Sequence, residues 1–286
     1  ADTARFVMRK PISVVVLSLI ILTVLAAPIK NIVFSQVDSR VLPASNSAAT
    51  AARVILERFP GQEGNPIEII VPKGAFMGTQ INQYTTEIAQ VPGIVRIGDS
   101  QVSGDDVRVT AIHSMGPRTP EAQELITKVR AIRAPEGTLI GGVAADYTDT
   151  QNGIAATLPW ALLWIAIGVM LLLFVFTGSI ILPIKAVILN ILSLAATLGA
   201  VTWIFVEGHL KWLVGDFTVT GAVDTGSIIL IAVVTFGLSM DYEVFLLSRI
   251  KEEHEAGKSN IESVATGLQR SARIITAAAG LLAIVF

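Results

Sequence analysis

Four stretches of this sequence are long and apolar enough to cross a lipid bilayer, and they leave few folds open to the chain. They cover about residues 11–33, 154–177, 180–206 and 226–247, and a fifth begins near Ala272 and stops at Phe286. A spanning helix needs ~20 largely apolar residues, because in hydrocarbon every backbone N–H and C=O must find its partner inside the segment. Soluble domains are about 25% charged, whereas this 286-residue chain is 15% charged and 52% hydrophobic. The missing charge is concentrated in the apolar blocks. The expected fold class is a polytopic α-helical membrane protein with an inserted soluble domain, residues 34–153. The fifth block is too short to cross, so the chain is expected to be a fragment of a longer protein.

The first block has a second reading. Arg5, Arg9 and Lys10 precede an apolar stretch that contains Leu25-Ala26-Ala27, as in a signal peptide. Pro28 makes a poor cleavage position, and apolar character resumes at Ile32-Val33-Phe34, which favours a retained span. Composition also excludes several functions. The net charge of −2, with no dense basic stretch, gives no footprint for nucleic acid. Without cysteine there is no disulfide, thiolate metal site or cysteine nucleophile.

Orientation follows from the basic residues of the short loops. Arg5, Arg9 and Lys10 lie in the N-terminal segment 1–10, and Arg249, Lys251, Lys258 and Arg270 lie in segment 248–271. Lys185 is near the turn between the second and third spans, and the loop 207–225 has one basic residue, Lys211. A cytoplasmic N-terminus puts each on its expected side. Trp160, Trp164, Trp203 and Trp212 then fall at outer span ends or in the outer loop, where tryptophan prefers to sit. Segment 248–271 includes a second helix, capped by Ser259 with Glu262 three residues on, whose stripe of Ile261, Val264, Ala265 and Leu268 suits the inner leaflet surface.

The insertion at 34–153 reads as a folded domain. Ser45 or Ser47 can cap a helix that presents Ala52, Ile55, Leu56 and Phe59 and stops at Pro60-Gly61. Strands are expected at 67–71, 94–97, 107–112 and 138–140. Two more helices, 79–90 and one from Thr119-Pro120, turn Ile81, Tyr84 and Ile88, and Leu125, Ile126 and Val129, inward. This order suggests an α+β layer of the split βαβ type. Asp105, Asp106, Asp146 and Asp149 read as turn and cap residues, and His113 as structural. No nucleophile–base pair or metal set is apparent, so the domain reads as a binding or conduit module and the protein as a non-enzyme without cofactor.

Asp241 is the residue that points to function. It lies inside the fourth block, in Gly237-Leu-Ser-Met-Asp241-Tyr242-Glu243. An ionised carboxylate in hydrocarbon costs several kcal/mol, and such residues usually mark an ion or proton path. At 100° per residue Asp241 and Glu243 point to nearly opposite sides, so they are not a carboxylate pair. Asp241 shares its side with Gly237, Leu238 and Phe245, and Gly237 would admit a close neighbouring helix. Tyr242 adds a hydroxyl that both donates and accepts. Glu243 and Arg249 are secondary candidates, Glu243 reaching water or Arg249. The competing reading is a buried structural acid.

The run from Gly237 to Glu253 resembles the signature helix of the MmpL (mycobacterial membrane protein large) family, in the resistance–nodulation–division superfamily of proton-driven exporters. Val37-Asp-Ser-Arg-Val-Leu-Pro43, Val91-Pro-Gly-Ile94 and Gly141-Gly142-Val-Ala are similar to the family as well. The resemblance covers essentially the whole chain. It implies the second of two repeated halves, with Asp241 and Tyr242 in a proton relay that a matching Asp-Tyr pair in the absent N-terminal half would complete. It further implies export of lipids or other hydrophobic compounds across the bacterial plasma membrane, driven by protons. An oligomer stays open. Two alternatives remain: a SecD/SecF-like translocation accessory, whose helix pattern fits less well, and a non-transporting sterol-sensing-type scaffold.

Overall fold

The computed structural model describes residues 7–43, 45–59, 61–215 and 217–285, without the side chains of Leu56 and Val285. The readings above at Arg5, Pro60 and Phe286 and at the Leu56 side chain lie outside this description. The helices are α1 (Pro11–Ala26), α2 (Ser47–Arg58), α3 (Gly78–Ala89), α4 (Pro120–Ala131), α5 (Val143–Thr177), α6 (Ile181–Val201), α7 (Thr225–Glu255) and α8 (Asn260–Val285). The strands of the inserted domain are β1 (Ile67–Val71), β2 (Ile94–Ile97), β3 (Gln101–Ser103), β4 (Asp106–His113) and β5 (Leu139–Gly141). The chain divides into two compact units, Ala1–Val33 with Leu162–Phe286, and Phe34–Ala161.

In the inserted unit the sheet order is β2-β4-β1-β5, and β3 also pairs with β4. Every pairing is antiparallel. With α3 after β1 and α4 after β4, this is the split βαβ layout. Strand alternation explains its core. Ile67, Ile69 and Val71 are fully buried, as are Val109 and Ala111 across the register pairs Ile69–Val109 and Ile67–Ala111. Ile81, Tyr84 and Ile88 of α3 and Leu125, Ile126 and Val129 of α4 close the other side. Thr119 caps α4 by accepting from the Ala122 N–H at 3.4 Å, and Pro120 opens the helix.

Several local expectations need correction. Asn46, not Ser45 or Ser47, caps α2: its side chain accepts from the Ala48 N–H at 2.8 Å. The face of α2 is not buried, since Ile55 and Phe59 are 47% and 55% exposed. Asp149 is no turn residue. It lies within α5 and accepts from Arg130 Nη2 at 2.8 Å. Asp106 does serve a turn, accepting from the Lys73 N–H at 3.0 Å. His113 is fully buried, with Nε2 3.1 Å from the Asn65 carbonyl. At Gly142 (φ +93°) an added Cβ would stand 2.4 Å from the Pro66 carbonyl oxygen, so only glycine fits.

The second unit holds helices α1, α6, α7 and α8 with the rest of α5. Among the described residues, four segments have the length and apolarity to cross a membrane: Pro11–Asn31, Val143–Thr177, Ile181–Val206 and Thr225–Glu255. Their limits differ from the sequence reading. α5 starts at Val143 rather than at 154, and α7 runs on to Glu255 rather than stopping at 247. A π-helical turn, Thr202–Val206, ends the third segment.

The largest difference concerns residues 248–286. No break separates an inner-surface helix from a new span. α8 is one helix from Asn260, opened by the expected Ser259–Glu262 capping box, in which the Glu262 N–H donates to Ser259 Oγ and Glu262 Oε2 accepts from the Ser259 hydroxyl at 2.8 Å. Its packed face is not the apolar stripe. Ser263, Gly267 and Ser271 are buried, while Ile261 is 71% exposed. A Cβ on Gly267 would lie 3.1 Å from the Ile250 backbone, so α8 lies against α7 through its small residues.

Candidate functional site

The signature residues sit on α7, a 31-residue helix whose N-terminus is fixed by Asp224. That carboxylate accepts from the Ser227 N–H at 2.7 Å and the Ser227 hydroxyl at 2.8 Å. The helix has two unlike faces. One is packed: Met240 is buried with Leu173 of α5 and Ala186 of α6, and Phe236, Val244 and Leu247 close around them.

Asn190, on α6, joins this face. It is 5% exposed and donates to Met240 Sδ at 3.1 Å and to Glu243 Oε2 at 3.4 Å. Sequence reading missed it. Its signal was a single amide inside the third apolar block, and amides bridge helices where water is absent. Glu243 therefore faces α6, with Lys185 near enough to interact with its charge.

The expected Glu243–Arg249 contact does not form. Arg249 donates to Glu252 at 2.7 Å and stacks over the Phe245 ring, 5.5 Å from its centroid. Lys251, on the next turn, donates to the Phe176 carbonyl at the C-terminal end of α5 at 3.0 Å. A cation there complements the helix dipole.

The other face of α7 is open. Leu230 and Val233 are 61% and 62% exposed, and Gly237 and Asp241 are exposed along the same line. These positions recur every three or four residues, so they form one stripe. The close approach expected at Gly237 is absent among the described residues: an added Cβ would meet nothing within 4 Å. Tyr242, one position on, is half-buried at the edge of the stripe. The geometry thus separates the two acids, with Glu243 tied into this unit and Asp241 directed away from it. Among the described residues no group of three or more His, Cys, Asp or Glu could hold a metal ion.

Comparison with known proteins bears on this arrangement. The model of the MMPL family matches residues 40–286. The chain belongs to the MMPL family. A protein of Streptomyces coelicolor named as a membrane protein is 35% identical over 287 residues, which cover 100% of this chain and 40% of that protein. The trehalose monomycolate exporter MmpL3 of Mycobacterium tuberculosis is 32% identical over 297 residues, 98% of this chain and 31% of the exporter. The mycolic acid-containing lipids exporter MmpL11 of Mycolicibacterium smegmatis is 31% identical over 298 residues, again 98% of this chain and 31% of the relative. The chain spans 40% or less of the length of these relatives. Two of them are named as exporters.

Proposed function

We propose that this MMPL chain is one half of a proton-driven exporter of lipids or other hydrophobic compounds in the bacterial plasma membrane. Asp241 and Tyr242 carry the proton. The observation that supports this most is the placement of Asp241: a carboxylate in a helix long and apolar enough to cross a membrane, exposed on the face of α7 that no described residue covers. A carboxylate cannot stay ionised against hydrocarbon without a polar partner. The stripe Leu230–Val233–Gly237–Asp241 is the surface for a second helix set, and the partner is the other half of the transporter with its own Asp-Tyr pair. A close helix at Gly237 would bring that pair to Asp241. An acid neutral in one conformation and ionised in another then couples proton movement to a change of access. The relatives named as exporters of trehalose monomycolate and of mycolic acid-containing lipids support this substrate class. In this reading the N-terminus is cytoplasmic and the split βαβ domain lies outside the cytoplasm.

The test is proton-gradient-driven efflux by the complete transporter with Asp241→Asn, at equal membrane abundance. Efflux is expected to fall by at least about 100-fold, the usual scale for losing a required proton-transfer group. Substantial efflux from the variant makes Asp241 a structural acid and favours the scaffold or translocation-accessory readings. Topology has its own check, because the chain has no cysteine. A cysteine placed at Gly104 is expected to react with an impermeant reagent only from outside intact cells.

A further inference from the structure

The connection between α6 and α7 has a surface that neither the packing of its unit nor the exporter reading uses. The connection is folded. The Glu207 N–H donates to the Thr202 carbonyl across the π-helical turn at 3.1 Å, and His209 stacks on Trp203 with ring centroids 4.6 Å apart. Phe205 packs on Phe217, with Lys211 over the Phe217 ring. Glu207 accepts from Asn31 Nδ2 at 2.8 Å, and the Val223 N–H donates to the Val33 carbonyl at 2.8 Å. One connection thus laces together the adjoining ends of α1, α6 and α7.

Against this order, three consecutive large apolar residues are left out. Trp212, Leu213 and Val214 are 81%, 66% and 48% exposed on a single helical turn, Lys211–Val214. The chain adopts a left-handed conformation at Leu210 (φ +56°) to form that turn, a conformation that disfavours side chains other than glycine, asparagine or aspartate. The polar side chains around it are engaged elsewhere. Glu207 is bound to Asn31, His209 Nδ1 lies 2.9 Å from the Trp203 carbonyl, and Lys211 covers Phe217.

We infer that Trp212, Leu213 and Val214 insert into the interfacial region of the bilayer and anchor the ends of α1, α6 and α7 at the lipid surface. Two observations select lipid over a protein partner. The connection leaves one crossing segment at Val206 and enters the next at Thr225, so its short length holds the turn close to the membrane plane. The crossing segment that leads into the connection also ends in exposed aromatic side chains, Trp203 and Phe205, at 38% and 40% exposure. Tryptophan partitions into this zone, and leucine and valine add apolar area below it. The inference requires only that the segments cross a membrane, not that the protein exports anything.

The chain has no cysteine, so Leu213→Cys can carry a nitroxide label with no other change. The labelled chain is reconstituted in phosphatidylcholine vesicles, with Val102→Cys on β3 as the water-exposed reference. The label at 213 is expected to collide several-fold more with oxygen, relative to a water-soluble nickel complex, than the label at 102. Equal ratios overturn the inference, and so does low access to both probes at 213, which would place a protein partner on the patch. A second measurement leaves the turn intact. With Trp160, Trp164 and Trp203 changed to Phe, Trp212 emission is expected to be strongly quenched by lipids brominated near the carbonyl end and little quenched by iodide. The reverse pattern also overturns it.

Discussion

The two units of this chain bury opposite things. In the split βαβ domain the fully buried positions are mainly apolar, Ile67, Ile69, Val109, Leu125 and Val129 among them, with His113 and Thr148 as polar exceptions. In the helical unit Leu171, Val175 and Ile181 are 63%, 76% and 77% exposed, while Asn190, Ser263 and Ser271 are buried. A water-solvated domain hides apolar area because water drives it inward. Where the solvent is hydrocarbon that drive is gone, and helices associate through small residues and polar contacts. The asymmetry is itself evidence for lipid around the second unit, independent of any length criterion.

Matched substitutions can break this comparison. Val109→Asp, at a fully buried strand position, is expected to cost at least about 3 kcal/mol and to abolish folding of the domain in thermal unfolding. Ile167→Asp on α5 is 46% exposed and should nonetheless cost about 3 kcal/mol in a membrane-insertion assay. Val102→Asp on β3, 64% exposed, should change stability by less than about 0.5 kcal/mol. If Ile167→Asp proved as harmless as Val102→Asp, the surface of α5 would not face lipid.

Glycine gives the next contrast. A Cβ on Gly199 of α6 would stand 2.1 Å from the Leu25 carbonyl oxygen, whereas one on Gly237 meets nothing. Gly199→Val should separate α1 from α6 at a cost of about 1–3 kcal/mol, seen as lost detergent-solubilised monomer of the expected size. Gly237→Val should leave that yield unchanged and impair only the complete transporter. Equal loss at both sites would mean that the open face of α7 is covered within this chain.

The two polar ends of the signature run sharpen the picture further. Asn190→Leu leaves the half-buried Glu243 without its amide and should destabilise the helical unit by about 1–2 kcal/mol. Arg249→Ala removes only an exposed pair and should be nearly silent.

A further expected effect lies in the inserted domain and depends on pH. Burial holds the His113 imidazole below its ordinary range, so the folded state favours the neutral ring. The unfolded chain then binds the proton first on acidification. His113 contributes stability above about pH 6.5, and that contribution is lost as pH falls from there to the folded value. A melting temperature that declines between pH 7 and 5 for wild type, and less for His113→Phe, would show it. An equal decline in both would assign the effect to other groups.

Much of the domain was legible because its signals are local. The alternation Ile67-Glu68-Ile69 requires one buried face, and Thr119-Pro120 announces a helix start whatever surrounds it. The antiparallel order β2-β4-β1-β5 follows from those elements by the few connections a split βαβ sequence allows. Less was legible at the candidate site. Length and hydropathy located the helix that carries Asp241, and Asp241 was conspicuous because an acid in an apolar run has few benign explanations. Glu243 was read as reaching water or Arg249, from its place nearer the cytoplasmic end of the helix. Its actual partner, Asn190, comes from another span 53 residues away.

The sequence by itself marked which segments are long and apolar enough to cross, where the inserted domain begins and ends, and which acid lies inside an apolar segment, since each depends on composition and periodicity within a short stretch. Only the tertiary structure decided which face of each spanning helix is packed. Lipid and protein interior are equally apolar, so a helix with one face to each shows no hydrophobic stripe to betray the choice. Hence Ser263, Gly267 and Ser271, not Ile261, turn out to face α7, and Asp241 turns out to stand on its open side.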